Sequence, residues 1–186
     1  MSNLFEWDEL NLIRDEARSI MALPKQKRRE RFERFCDYLE FVLCLVYAYG
    51  WKDAEEIVGI VPFKDGLDDK TVNLEIENKT FRDRVEEQFT DGDVYGLLRI
   101  IDTEAHRDYN AAVYQAGIES GRTGLRKKWV TRNDDRVRDP HAYMEGMTVG
   151  IDDYFYTYTG DSTLYPGGFG VPELDINCRC AISLVT

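Results

Sequence analysis

The sequence has little of what several function classes require. It contains no apolar run long enough to cross a bilayer: the longest, Phe41 to Tyr49 (FVLCLVYAY), is less than half of what a spanning helix needs. It has no surplus of positive charge, because 24 Lys and Arg face 35 Asp and Glu for a formal net charge of -11. A chain of that sign repels nucleic acid and anionic membrane as a whole, so any DNA contact must use a local basic patch. No G-x-x-x-x-G-K-[ST], G-x-G-x-x-G or H-E-x-x-H occurs, which disfavours nucleotide-driven and zincin-type chemistry. The first ten residues carry acidic groups and no basic start before an apolar stretch, so they predict no signal peptide and a reducing cytoplasm. Cysteine is scarce and comes in two unlike pairs, Cys36 with Cys44 and Cys178 with Cys180. In a reducing compartment these read as free thiols or metal ligands and not as a disulfide framework.

What is present is helical first. Apolar residues at helical spacing predict a helix from Leu4 to Ala22, ended by Pro24. A second runs from Lys25, with Phe32, Phe35, Leu39, Leu43 and Val46 on one face and Gly50 as its stop. A short helix over Asp53–Val58 follows, and FKDGLDD reads as an exposed loop. Two more helices are predicted, from Thr71 to Phe89 and from Asp93, as N-cap, to Ile118. After Gly117 the texture changes. RKKWVTR has strand character, Asn133-Asp134-Asp135 a turn, Pro140–Gly146 a short helix, Tyr154–Thr159 a strand, Tyr165–Gly170 a loop and Cys178–Val185 a terminal strand. The fold class is therefore α+β: an N-terminal helical bundle or arm (1–102), then a small loop-rich α+β module (103–186).

Within that module, KKWVTRNDDRVRDPHAYMEGMTV, DDYFY, the YPGGF loop and the closing INCRC follow one another in a fixed order. The order is a Trp129 strand, D-D-R-V-R-x-x-H, a glycine after a short helix, a proline–glycine loop and N-C-R-C. This set resembles the C-terminal domain of the phage Mu F-like head morphogenesis proteins, which are minor capsid components, and the likeness begins near Thr103-Glu104. The resemblance implies a virion protein of low copy number near the portal, made in the bacterial host cytoplasm. Portal and major capsid proteins would be its partners, and it would assist head assembly or the fate of the packaged DNA without being an enzyme. It also implies that the helix face of Thr103, Glu104, Arg107 and Asn110 packs on the module. Similar family members carry a C-x-x-C pair at the places of Arg138 and His141, and a histidine at that of Asp175.

The residues themselves offer alternatives. Cys178 and Cys180 lie two apart on a predicted strand and so share a face, and with His141 they make three of the four ligands of a tetrahedral zinc site, Asp175 being a candidate fourth. Alternatively both cysteines are small core residues and His141 bonds a backbone carbonyl. A catalytic reading makes His141 a general base or the activator of Cys178, as in a metal-dependent nuclease or toxin-like enzyme. Asp134, Asp135, Arg136 and Arg138 read as a charge cluster pinning a loop by bidentate pairs. Two basic stretches, Arg122, Arg126, Lys127, Lys128, Arg132, Arg136 and Arg138, and Lys25, Lys27, Arg28, Arg29, Arg31 and Arg34, stand out against the acidic whole. Arg126, Lys127 and Lys128 are the candidate phosphate contacts. Glu104–Arg107 reads as a surface pair, and His106 receives no role.

Overall fold

The computed structural model describes residues 7–64 and 74–186. It is α+β, as the sequence predicts: α1 (Asp8–Met21), α2 (Lys25–Arg29), α3 (Phe32–Val58), α4 (Phe81–Asp91) and α5 (Val94–Glu119) precede a module of short elements. In the module β1 (Arg126–Val130), α6 (Asp139–Met144), β2 (Thr148–Gly150), β3 (Phe155–Tyr156), β4 (Ser162–Thr163), α7 (Pro172–Asp175) and β5 (Ala181–Val185) follow in order. β1 is the centre of an antiparallel sheet ordered β2-β1-β5, and β3 pairs with β4. Lys127 stands opposite Val149 on one side and Leu184 on the other; Trp129 stands opposite Ile182.

The helical half rests on α3 and α5, which make the most extensive contact of any two elements. Here the structure departs from the expectation at Gly50. The helix does not stop there but continues to Val58, where Gly59 at φ 89 ends it. Gly50 serves close approach instead: a Cβ at that position would lie 2.4 Å from the Tyr109 carbonyl oxygen and 3.0 Å from the Ala112 Cβ. Glycine is therefore placed by the neighbouring helix and not by a cap. α1 lays Leu10, Ile13, Ala17 and Ile20 into the same core at steps of three and four, and Arg14 ties it to Asp102 of α5 at 2.7 Å.

The helix predicted from Thr71 begins ten residues later. Residues 65–73, which take in DGLDD of the FKDGLDD loop and the first residues of that predicted helix, and the start of the helix predicted from Leu4 lie outside the described residues. Ile76 to Lys79 form a tight turn with Glu77 and Asn78 at φ 54 and 60, a conformation no helix continues through. Thr80 then opens α4 with a capping box: its Oγ accepts from the Asp83 N–H at 3.2 Å and its own N–H donates to the Asp83 carboxylate at 2.9 Å. The terminal strand is also shorter than predicted, starting at Ala181 and not Cys178, because β1 ends at Val130 opposite Ala181 and offers residues 178–180 no further partner. The Tyr154–Thr159 strand shrinks to Phe155–Tyr156 for a similar reason, since Thr157 turns back to bond Asp161.

One core runs from α1, α3 and α5 through Leu125, Trp129 and Phe155 to Cys178, Cys180 and Leu184. Residues 102 and 103 both lie inside α5, which every residue from Thr103 to Val113 buries on all sides, helices on one flank and module on the other.

Replacing Gly50 by alanine tests this axis. Helix propensity alone favours alanine by roughly 1 kcal/mol, but a methyl against a backbone oxygen forces the helices apart. We expect Gly50→Ala to destabilise by about 1–3 kcal/mol in urea unfolding; a stabilised variant would show that α3 and α5 are not in contact there.

Candidate functional site

Four polar residues on α5 face the module. Glu104 and Arg107 are an i,i+3 pair, as the sequence suggests, but a buried one: their side chains are 0% and 3% exposed. The Glu104 carboxylate accepts from Arg107 and, on its other oxygen, from Arg84 of α4 at 2.6 Å. Arg107 Nε donates to the Gly167 carbonyl at 2.6 Å. Gly167 sits at φ 85 with its Cα so close to α5 that a Cβ would lie 3.2 Å from Arg107 Cα, so the YPGGF loop lies directly on the helix. Asn110 donates to the Cys180 carbonyl (3.3 Å) and accepts from the Ile182 N–H (3.0 Å), and Thr103 Oγ1 accepts from the Asn177 N–H. Arg107 thus holds the proline–glycine loop, Thr103 and Asn110 hold the closing segment, and Glu104 ties Arg107 to α4.

In the same closing segment, both cysteines meet His141 of α6. Its Nδ1 is 3.6 Å from Cys178 Sγ and 3.5 Å from Cys180 Sγ, and all three residues are buried. The imidazole stacks on Phe169 and meets the edge of Trp129, whose fully buried ring also touches Phe155. His106, given no role from sequence, lies against Cys178 as well. The two thiols act on each other: their mutual hydrogen bond raises Cys178, an effect burial reinforces and the two histidines oppose, and lowers Cys180, where Trp129 adds to the lowering. Cys36 and Cys44 lie outside this cluster, and burial pushes the Cys36 thiol up to about 12.

Asp175 does not join the cluster. Its carboxylate accepts the Phe169 N–H at 3.1 Å and the Gly170 N–H at 2.8 Å, which caps the loop that stacks on His141. Its role is to shape that loop, and a metal ligand set including it is not formed among the described residues.

The predicted charge cluster exists with a different arginine. Asp134 makes a two-pronged pair with Arg179 of the N-C-R-C segment, at 2.6 and 2.7 Å, and this pair holds the Asp134 carboxyl below its usual range. From Arg136 it receives only a backbone N–H, and Arg138 turns away to the Leu174 and Ile176 carbonyls. Asp135 and Arg136 are exposed. Sequence spacing favoured arginines near Asp134 in the chain; the turn at Asn133 (φ 53) brings a distant one instead.

The basic stretch of β1 is split by strand alternation. Arg126 and Lys128 point to solvent, whereas Lys127 is 0% exposed with its Nζ 4.5 Å from the Tyr114 ring centroid and 5.5 Å from that of Phe155. Lys127 is therefore no phosphate contact: a strand that turns Trp129 inward must turn Lys127 inward too. Arg28 of the N-terminal run is likewise occupied, donating to the Phe89 and Leu23 carbonyls, while Lys25, Lys27, Arg29, Arg31 and Arg34 are exposed.

Residues 67–183 match the family model described as Phage Mu protein F like protein. The chain belongs to that family. The match starts well before Thr103 and takes in α4, in keeping with the bond from Arg84 to Glu104 that makes α4 part of the same unit. Two curated relatives are similar to this chain. One, an NAD(+)–arginine ADP-ribosyltransferase EFV of Enterococcus faecalis, is 36% identical over 45% of this chain and 17% of its own length. The other, the minor head protein GP7 of Bacillus phage SPP1, is 29% identical over 45% of this chain and 27% of its own length. The matched stretch thus spans well under a third of either relative's length. No solved structure matches.

Two variants probe the site. Arg107→Ala leaves the Glu104 carboxylate buried with half its cation partners, and we expect a loss of about 3–5 kcal/mol in urea unfolding; a loss below roughly 1 kcal/mol would return the pair to the surface class. For Lys127, burial pulls the ammonium down to about 8 in the folded chain from its ordinary 10.5. Between those values the unfolded chain binds more protons, so folding gains stability as pH rises through that window, and below it the burial of the cation costs most. Lys127→Met is therefore expected to raise the melting temperature at pH 7, with the advantage shrinking above pH 8. An advantage that grows with pH would contradict the buried cation.

Proposed function

We propose that the protein is a minor structural component of a tailed-phage or prophage head, incorporated in the virion, and that it acts by binding and not by turnover. The observation that carries this reading is the family match over residues 67–183, together with the likeness to a protein named as a minor head protein. The second relative is named for a transferase, but the shared segment is 17% of that protein, which favours a shared module over a shared reaction.

Portal or major capsid subunits are the partners this role requires. The exposed aromatics suit such contact: Tyr143, Tyr154, Tyr156 and Tyr158 are 47–58% exposed, on α6 and around β3, and Tyr143 meets Tyr158 at 5.7 Å. Tyrosine is favoured at protein interfaces because it buries apolar area while keeping a polar end. Arg126 and Lys128 remain as exposed cations for DNA on an otherwise acidic chain.

Heads purified on a density gradient from cells producing the phage should contain the chain, detected by mass spectrometry. A chain found wholly in the unassembled fraction would refute the head assignment. Tyr156→Asp with Tyr158→Asp should cut incorporation on the order of tenfold, as expected for interface anchors worth more than 1 kcal/mol, at unchanged melting temperature. Full incorporation of the folded double variant would remove the tyrosine face from the interface.

A further inference from the structure

We propose that Cys178, Cys180 and His141 bind one zinc ion, which staples the closing segment of the chain to α6. The distances carry it. A tetrahedral zinc with its usual bonds to thiolate sulfur and imidazole nitrogen holds sulfur and nitrogen about 3.5 Å apart; the two observed separations are 3.6 and 3.5 Å. A hydrogen bond to the imidazole nitrogen explains one of them directly. Nδ1 of a neutral imidazole has a single lone pair and accepts from one thiol, yet both sulfurs stand at the same distance from it. A shared cation on that side of the ring accounts for both at once.

The donor set selects the metal. Two soft sulfurs and an imidazole suit zinc and disfavour calcium or magnesium, which take oxygen. All three ligand atoms lie within 4.8 Å of one another in a buried setting, walled by Trp129 and Phe169, where a divalent cation gains most from its ligands. Binding displaces the remaining thiol protons to solvent, so both cysteines ligate as thiolates. No fourth Cys, His, Asp or Glu among the described residues joins the set. Cys178 borders a cleft lined also by Asp102, Arg136, Arg138, Asn177 and Arg179, and solvent from it fills the fourth position.

The staple links two parts of the chain that no sheet joins. Residues 178–180 precede β5 and have no strand partner, and α6 is a helix of six residues. A metal bond across 37 residues of chain replaces the ladder these segments lack. The inference stands apart from the head assignment, since a free chain and a virion chain would bind zinc alike.

The test uses the full chain, purified reduced and without chelator. We expect one zinc per chain by mass spectrometry. Exchange with cobalt(II) should give thiolate-to-metal charge-transfer absorption in the near ultraviolet and the visible bands of a tetrahedral ion. Cys178→Ser and Cys180→Ser should weaken zinc binding by more than the roughly 10- to 100-fold that loss of an outer-shell partner brings, whereas His141→Cys should retain the metal. The cobalt spectrum of the unmutated protein does not depend on any variant folding. A folded, reduced wild-type chain that carries no zinc and develops no charge-transfer band with cobalt would overturn the proposal, as would binding that survives both serine substitutions.

Discussion

Helix α5 has no solvent-facing side between Thr103 and Val113, and the rest of the fold is arranged around that constraint. A helix buried on all sides is usually apolar throughout. This one carries Glu104, His106, Arg107 and Asn110 into the interior. Each such group costs several kcal/mol unless its partners are supplied by whatever packs against it, roughly 3–5 for a charge left alone. The module supplies a loop carbonyl for Arg107 and a carbonyl and an N–H for Asn110, and α4 supplies a second guanidinium for Glu104. Polar satisfaction therefore fixes the position of the loop and of the last strand more narrowly than apolar burial would, because hydrogen bonds have direction and apolar contact does not.

The same constraint explains which features were legible in the sequence. Helices with a wet face announced themselves by spacing, so α1 and the apolar stripe of α3 were readable, whereas α5, buried through its middle, was bounded by Asp93 as N-cap and by the change of texture after Gly117. Gly50 was misread because a glycine at a helix end and a glycine under a crossing helix look alike in one dimension; only Tyr109, 59 residues on, distinguishes them. The turn at Glu77-Asn78 was hidden inside an acceptable helical pattern, although Thr80 and Asp83 carried the capping signature that marks the true start. In the module the order of motifs was informative and the strand lengths were not, since a strand ends where its partner ends and the partner is remote in sequence.

Site residues show the same division. His141, Cys178 and Cys180, grouped from residue type, lie within 4.8 Å of one another, and few other side chains in the chain share their chemistry. Charged residues are too many for that argument to work. Asp134 finds Arg179 and not its neighbours, Asp175 caps a loop, and Lys127 lies under two rings. The burial of Lys127 is nonetheless legible: strand alternation assigns it the face of Trp129, and the apolar weight of the tryptophan decides which face is inside.

The helix network and the thiol–imidazole cluster are not independent devices. Asn110 bonds the carbonyl of Cys180, and His106, one turn earlier, lies against the sulfur of Cys178. The Phe169 ring that stacks on His141 belongs to the loop whose glycine accepts from Arg107 and whose N–H groups Asp175 caps. So α5 positions the two sulfurs and the aromatic wall, and His141 completes the cluster from α6. An arrangement in which each donor is positioned by a different partner, all referred to one buried helix, resists small changes in loop length elsewhere.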